Sequence, residues 1–268
     1  MKVRLGRVVA IIIIIILIII IVVIAISELD RLKPRNVECT REMYYANGNW
    51  ITAIFNYYAY RNVEDPEHDI GPFPSMERNF KNHHVLKDNW KVIRDEVLKI
   101  YNRGDMKQIK DDFFFTKIAD DKWKRYYIKW YADSADDAKR ELPETTKLID
   151  SLPEIKSAMI SVLEPGSRIT AHQGPFFPVT RYHLGLKTPK QLKGAQKCWI
   201  KVDGIEYQWR DGEDMLFDDT YVHEVHNDTD EVRIILFCDV QRPMKNQASK
   251  NISDFACRVA KVTTRNNK

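Results

Sequence analysis

His172 and His223 each head a dense motif with an arginine downstream, and imidazole is among the side chains that most readily hold a transition metal. The first motif reads AHQGPFFPVTRYHLGL from Ala171, the second FDDTYVHEVHNDTDEVRIILFCDVQRP from Phe217. Alternate residues of a strand share a face, so Arg181 and His183 project together. Arg233 follows His223 by ten residues, inside the apolar run Val232 to Phe237. A lone guanidinium there is costly to bury unless it meets an anion, and a carboxylate matches it with two parallel hydrogen bonds. The chemistry implied is a metal on two imidazoles beside a carboxylate clamp, with coordination positions left open.

From about Val85 to Met244 the motifs HxGP at His172, RxHLGL at Arg181, FDDxxxHEV at Phe217 and a strand arginine before DVxxP resemble the aspartyl/asparaginyl β-hydroxylase family. That family includes peptidyl Asp/Asn hydroxylases and the similar bacterial lipid A acyl-chain hydroxylases. The resemblance implies a mainly β fold, a double-stranded β-helix (jelly-roll, cupin-like) core with flanking helices. It implies His172 and His223 as Fe(II) ligands, which with Arg233 form the catalytic set. Trp123, Ser161, Arg181, His183 and Arg233 become the contacts to 2-oxoglutarate, Arg233 pairing with its distal carboxylate. The implied cofactors are Fe(II), 2-oxoglutarate and O2, with ascorbate in support. In the implied reaction 2-oxoglutarate is decarboxylated to succinate while an unactivated carbon is hydroxylated.

In the wider superfamily an acidic residue two positions after the first histidine completes the ligand set, and this chain has Gly174 there. The peptidyl branch also has glycine, whereas DNWKVIRDEV from Asp88, KRYYIKWY from Lys124 and the short layout resemble the lipid A branch. The expected substrate is therefore a peptidyl Asp/Asn side chain or a lipid acyl chain. A non-catalytic, metal-binding, membrane-tethered interaction module is the alternative, and absence of succinate formation would mark it. Asp218 and Asp219 are expected to fix the turn before the ligand strand, a metal-carboxylate role being the alternative. His226, three residues after His223, should face away from it, and His83 and His84 have no partner at a useful spacing.

These residues need strands to hold them. After Ile155, Ser157 to Leu163, Val179 to Leu186, Lys197 to Val202, Ile205 to Trp209, Asp214 to Phe217, Tyr221 to Val225 and Val232 to Val240 are short and β-branched or aromatic, with Asp203-Gly204 a two-residue hairpin signal. Many strands without intervening helices favour a jelly roll or barrel. Trp90, Ile93, Val97 and Ile100 predict a helix stopped at Gly104, and Pro143 to Leu152 predicts a second.

Val8 to Ile26 is continuous apolar sequence, long enough to cross about 30 Å of hydrocarbon, and predicts an N-terminal transmembrane helix. Residues 1–27 then form the anchor, 28–84 a connector, 85–244 the dioxygenase domain and 245–268 a basic tail, either a short surface helix or a disordered end. The aromatic stretch Trp50 to Tyr60 either packs on the catalytic core or lies at a membrane surface. Basic residues flank both ends of the apolar run, so charge does not fix its orientation. The cytosol, where iron and 2-oxoglutarate are at hand, is the expected side, a lumenal or extracytoplasmic one being the alternative. A net charge of +4 from scattered, nearly balanced residues argues against a nucleic-acid partner. Cys39, Cys198, Cys238 and Cys257 show no metal-ligand spacing, and Cys238, in an apolar strand, is expected as a buried free thiol, a structural disulfide being the alternative.

Overall fold

The computed structural model describes residues 50–108, 122–131, 133–190 and 197–264. The apolar run 8–26 lies outside them. Among the described residues no helix is long and apolar enough to cross a membrane.

The elements in chain order are α1 (Trp50–Asn62), α2 (Pro66–Asp69), α3 (Met76–Asn79), α4 (His84–Lys87), α5 (Trp90–Arg103), β1 (Lys107–Gln108), β2 (Trp123–Trp130), α6 (Asp136–Glu141), α7 (Pro143–Asp150), β3 (Ile155–Leu163), β4 (Arg168–His172), β5 (Val179–Lys187), β6 (Cys198–Val202), β7 (Ile205–Tyr207), β8 (Asp214–Phe217), β9 (His223–Asn227), β10 (Arg233–Gln241) and α8 (Gln247–Thr264). The strands form two antiparallel sheets, six-stranded in the order β1-β2-β3-β10-β5-β8 and four-stranded in the order β4-β9-β6-β7. This is the mainly β architecture expected.

Strand alternation divides the core. Even positions of β10, Ile234, Leu236, Cys238 and Val240, join Ala158, Ile160 and Val162 of β3 and Tyr182, Leu184 and Leu186 of β5 beneath the helices, where α5 buries Ile93, Val97 and Ile100. Odd positions face the four-stranded sheet, so Ile235, Met159, Leu163, Met215 and Phe217 pack against Ile169, Ile200, Val202 and Val225. The predicted stops and turns hold for stated reasons. Gly104 closes α5 at φ +81°, giving its N–H to the Ile100 and Tyr101 carbonyls. Asp203 and Gly204, at φ +48° and +79°, join β6 to β7, as a hairpin turn with both central residues at positive φ requires.

Strands β2 and β4 were not among those expected. β2 carries a register irregularity between Tyr127 and Lys129 that breaks its alternation, and β4 buries only Ile169. Residues 50–84, read as a connector, hold three helices and the start of a fourth, and α8 runs for 18 residues against α1. Arg242, just after β10, pins these parts together. It donates to the carbonyls of Phe177 and Asp69 and meets Asp218 at 2.5 Å, both side chains wholly buried. Removing one partner of such a pair costs about 3–5 kcal/mol. Cys198, Cys238 and Cys257 are free and buried; Cys39 lies outside the described residues.

Candidate active site

His172 and His223 face each other directly across the β4–β9 ladder, their ring centroids 4.1 Å apart. Each ring is fixed in the same way. His172 Nδ1 lies 2.7 Å from the Thr170 carbonyl and His223 Nδ1 2.9 Å from the Tyr221 carbonyl, in both cases the residue two before it. A carbonyl only accepts, so each Nδ1 carries the proton and each Nε2 keeps its lone pair, the tautomer a metal ligand needs. Burial pulls both imidazoles below the usual histidine range, with the neighbouring His172 adding to the effect on His223. Both are thus neutral near pH 7. Among the described residues no third His, Cys, Asp or Glu completes a metal-ligand group with them.

Across the interior, the inward face of the six-stranded sheet carries all five residues expected to meet the co-substrate. Trp123 Nε1 donates to Ser161 Oγ at 2.9 Å, and Arg233 Nη1 approaches the same hydroxyl at 3.4 Å. Arg233 is 2% exposed, its Nε is without a hydrogen-bond partner, and burial pulls its guanidinium down to about 10. His183 sits among Phe217, Phe237 and Trp209 with both ring nitrogens buried and unpartnered. Burial, reinforced by Arg233 and Arg181, holds it neutral, well below the usual range. Buried polar atoms are nearly always paired, so orphans that cluster point to a missing ligand.

Arg181 stands on the same face but is already engaged. It donates to Asp219 at 2.8 Å and to Asp239, and Asp239 also accepts from Ser157 and Tyr131. Asp219 therefore does more than fix a turn, which is the work of Asp218, acceptor from Thr220 N–H and hydroxyl. Asp219 keeps a buried, unpartnered Oδ1, and a Cβ built on Gly174 would fall 1.8 Å from its Oδ2. The carboxylate of Asp219 thus fills the space beside the first histidine into which a side chain at 174 would project. Gly174→Ala should displace it and lower the melting temperature, and adding Asp219→Gly should restore much of the loss. Equal melting temperatures for Gly174→Ala and the parent would show that the carboxylate moves freely.

Two further residues escaped the sequence reading. Trp209 is 2% exposed, its ring lies 4.8 Å beneath the Arg233 guanidinium, and its Nε1 is a third buried orphan. A tryptophan beyond a hairpin gives no spacing signal. Asn56 of α1 grips the loop after His172, donating to the Pro175 carbonyl at 2.8 Å and accepting from Phe177 N–H at 2.9 Å. Nothing local ties it to a loop so distant in sequence. His226 turns away as expected and stacks on Trp199, and His83 is bonded to Asp214. Asn227, the first residue of an Asn-Asp-Thr stretch that fits the glycosylation pattern, is wholly buried and spends its amide on three carbonyls.

Fold and site together define a two-sheet β protein with a paired-imidazole centre facing a buried cationic pocket. The chain belongs to the aspartyl/asparaginyl β-hydroxylase family, whose model matches residues 87–243. It is 30% identical over 186 residues to the ornithine lipid ester-linked acyl 2-hydroxylase of Rhizobium tropici, covering 68% of this chain and 63% of that protein. It is 29% identical over 163 residues to human aspartyl/asparaginyl β-hydroxylase, covering 59% of this chain and 21% of that one. The matches thus span less than two thirds of these relatives. Among solved structures, a Pseudomonas putida prolyl-4-hydroxylase aligns over 57% of this chain and 87% of its own at a TM-score of 0.39 and 15% identity. The family assignment rests on sequence.

Proposed function

We propose that this chain is an Fe(II)- and 2-oxoglutarate-dependent hydroxylase with a jelly-roll core, held at a membrane by residues 8–26 and acting on an unactivated carbon of a lipid acyl chain. The observation that carries the chemistry is the pair of matched imidazoles, each with a free Nε2, facing a pocket of orphaned donors. His172 and His223 would hold the iron. Arg233, Ser161, Trp123, His183 and Trp209 would hold the co-substrate. When bound, iron would let O2 act as the oxidant, with 2-oxoglutarate giving two electrons and accepting one oxygen atom on decarboxylation to succinate and the hydroxylated carbon taking the other oxygen atom.

The protein's own part is positional. Arg233 brings a full positive charge to the orphaned donors beside Trp209 and His183 and orients a carboxylate. His183, neutral, can donate one hydrogen bond without adding a second cation. The aromatic floor of Trp209, Phe217 and Phe237 excludes water, which strengthens each of these contacts. Asp219, its Oδ2 held by Arg181, keeps Oδ1 free to accept a hydrogen bond.

Two observations support an acyl chain. The Arg181 cation is spent on two carboxylates, leaving it no charge for an acidic side chain. A row of half-buried rings, Tyr127, Trp130, Tyr131 and Phe176, continues by edge contacts from β2 to the loop after His172. The second reading, a peptidyl Asp/Asn side chain, is favoured by Gly174, which the peptidyl branch shares. Succinate release from the full chain with Fe(II), ascorbate and 2-oxoglutarate tests both, comparing lipid vesicles with Asp/Asn peptides as stimulant. Stimulation by the lipid alone, lost in His172→Ala, is expected. Stimulation by the peptide alone would reverse the substrate, and no succinate with either would favour the non-catalytic module.

Trp209→Phe keeps the ring under Arg233 and removes only the donor. The expected result is about a tenfold weaker 2-oxoglutarate affinity, the worth of one hydrogen bond to a charged group, with an unchanged melting temperature. Titration calorimetry with Mn(II) in place of Fe(II) reads it; an unaltered affinity would remove Trp209 from the pocket.

A further inference from the structure

We propose that the outer face of the α1–α8 helix pair seats on the lipid bilayer, so that the rim of the active site opens at the membrane surface. This inference rests on the reading of residues 8–26 as a membrane anchor. On α8, Ile252 and Phe255 are 37% and 58% exposed and stand three residues apart, on one side of the helix. Arg258, exposed three residues beyond Phe255, continues the same side and gives it a basic neighbour suited to anionic head groups. The Phe255 ring meets Phe55 of α1 edge-on at 6.1 Å, and Tyr58 reaches Ser249 at 3.4 Å, so the apolar side belongs to the pair.

Two connections point this face at a bilayer. Along the chain, α1 is the first described element after the apolar run, and residues 27–49, at most roughly 80 Å fully extended, tether it to the leaflet where that run ends. In space, α1 grips the loop after His172 through Asn56, and its Tyr60 ring packs on Phe177 at 5.5 Å. The helix that bears the proposed face thus also shapes the rim beside the first imidazole. A lipid acyl chain would then pass from bilayer to site without crossing bulk water, which removes the cost of exposing it.

The experiment uses the full chain, with Cys39→Ser, reconstituted into vesicles containing anionic lipid. A bimane fluorophore is placed at Ile252→Cys or, as reference, at Ile205→Cys, a still more exposed apolar position on the β6–β7 hairpin. The described native cysteines are buried and stay unlabelled. Lipids bearing a nitroxide on the acyl chain should extinguish bimane at 252 and leave it at 205. If the chain floats with the vesicles but 252 is no more quenched than 205, the docking face is overturned and the anchor stands. Absence of flotation overturns the anchor and the face together. Cross-linking of 252 to 252 in place of quenching would assign the face to a second copy of this chain, which also overturns the proposal.

Discussion

Arg233→Met should make the ligand-free protein more stable while nearly abolishing its affinity for 2-oxoglutarate. The guanidinium is buried without a carboxylate, its Nε bonds to nothing, and burial already pulls it down to about 10. Its neighbours are a hydroxyl shared with Trp123, the face of Trp209 and a histidine held neutral partly by its charge. Methionine fills similar space without a charge. Replacing buried charge networks by apolar side chains gains about 1–4 kcal/mol, roughly 2–4 °C of melting temperature per kcal/mol in a chain of this size. Losing one partner of a buried, hydrogen-bonded ion pair costs about 2–5 kcal/mol of binding, or roughly 30- to several-thousand-fold in Kd. Thermal unfolding with and without 2-oxoglutarate and Mn(II) reads both effects. The parent should gain melting temperature on adding the pair, and the variant should start higher and gain almost nothing. A variant that is less stable without ligand would mean that Arg233 is a structural strut.

That signature separates what the sequence could say from what it could not. Arg233 was legible because a cation in an apolar strand breaks the local pattern, and Asp239, an acid in the same strand, breaks it for the same reason. Strand alternation put Arg181 and His183 on one face and the structure keeps them there. It could not show that Arg181 would be neutralised, because Asp219 and Asp239 reach it from two other strands or turns. Strand β4 was illegible for a related reason. It buries one side chain of its five and exists because β9 pairs with it, yet it delivers His172. The role of Gly174 emerges only when Asp219 is seen filling the space in front of it. Helix α8 was half legible, since its buried side packs on α1 and the exposed Ile252 and Phe255 blur its apolar periodicity.

Below pH 6.5 the metal-free protein should lose stability steeply, and His183→Phe should flatten the loss. His183 and His223 are buried and held neutral well below the usual histidine range, first by burial and then by Arg233, Arg181 and His172. The unfolded chain takes up these protons near pH 6.5, and the folded one does not until its lower values are reached. In that window the unfolded state binds more protons, so stability is present above pH 6.5 and is lost as pH falls. Two protons give a slope of roughly 3 kcal/mol per pH unit, and His172, lowered in the same direction, adds to it. Against a total of about 5–15 kcal/mol, each pH unit lost removes a large share of the stability. Asp218 works in the opposite sense: burial raises its carboxyl, so protonation favours the fold, and the Arg242 charge limits that rise. Two or three imidazoles outweigh this single carboxyl, so the histidine slope should set the sign of the change. Phenylalanine at 183 fits the rings of Phe217, Phe237 and Trp209 and removes one proton from the balance, which should take away about 1.4 kcal/mol per pH unit. Denaturant midpoints measured every half unit decide it. A parent curve flat from 6.5 to 5 would show that the imidazoles protonate without opening the fold, and would leave their neutrality, on which metal binding depends, without support.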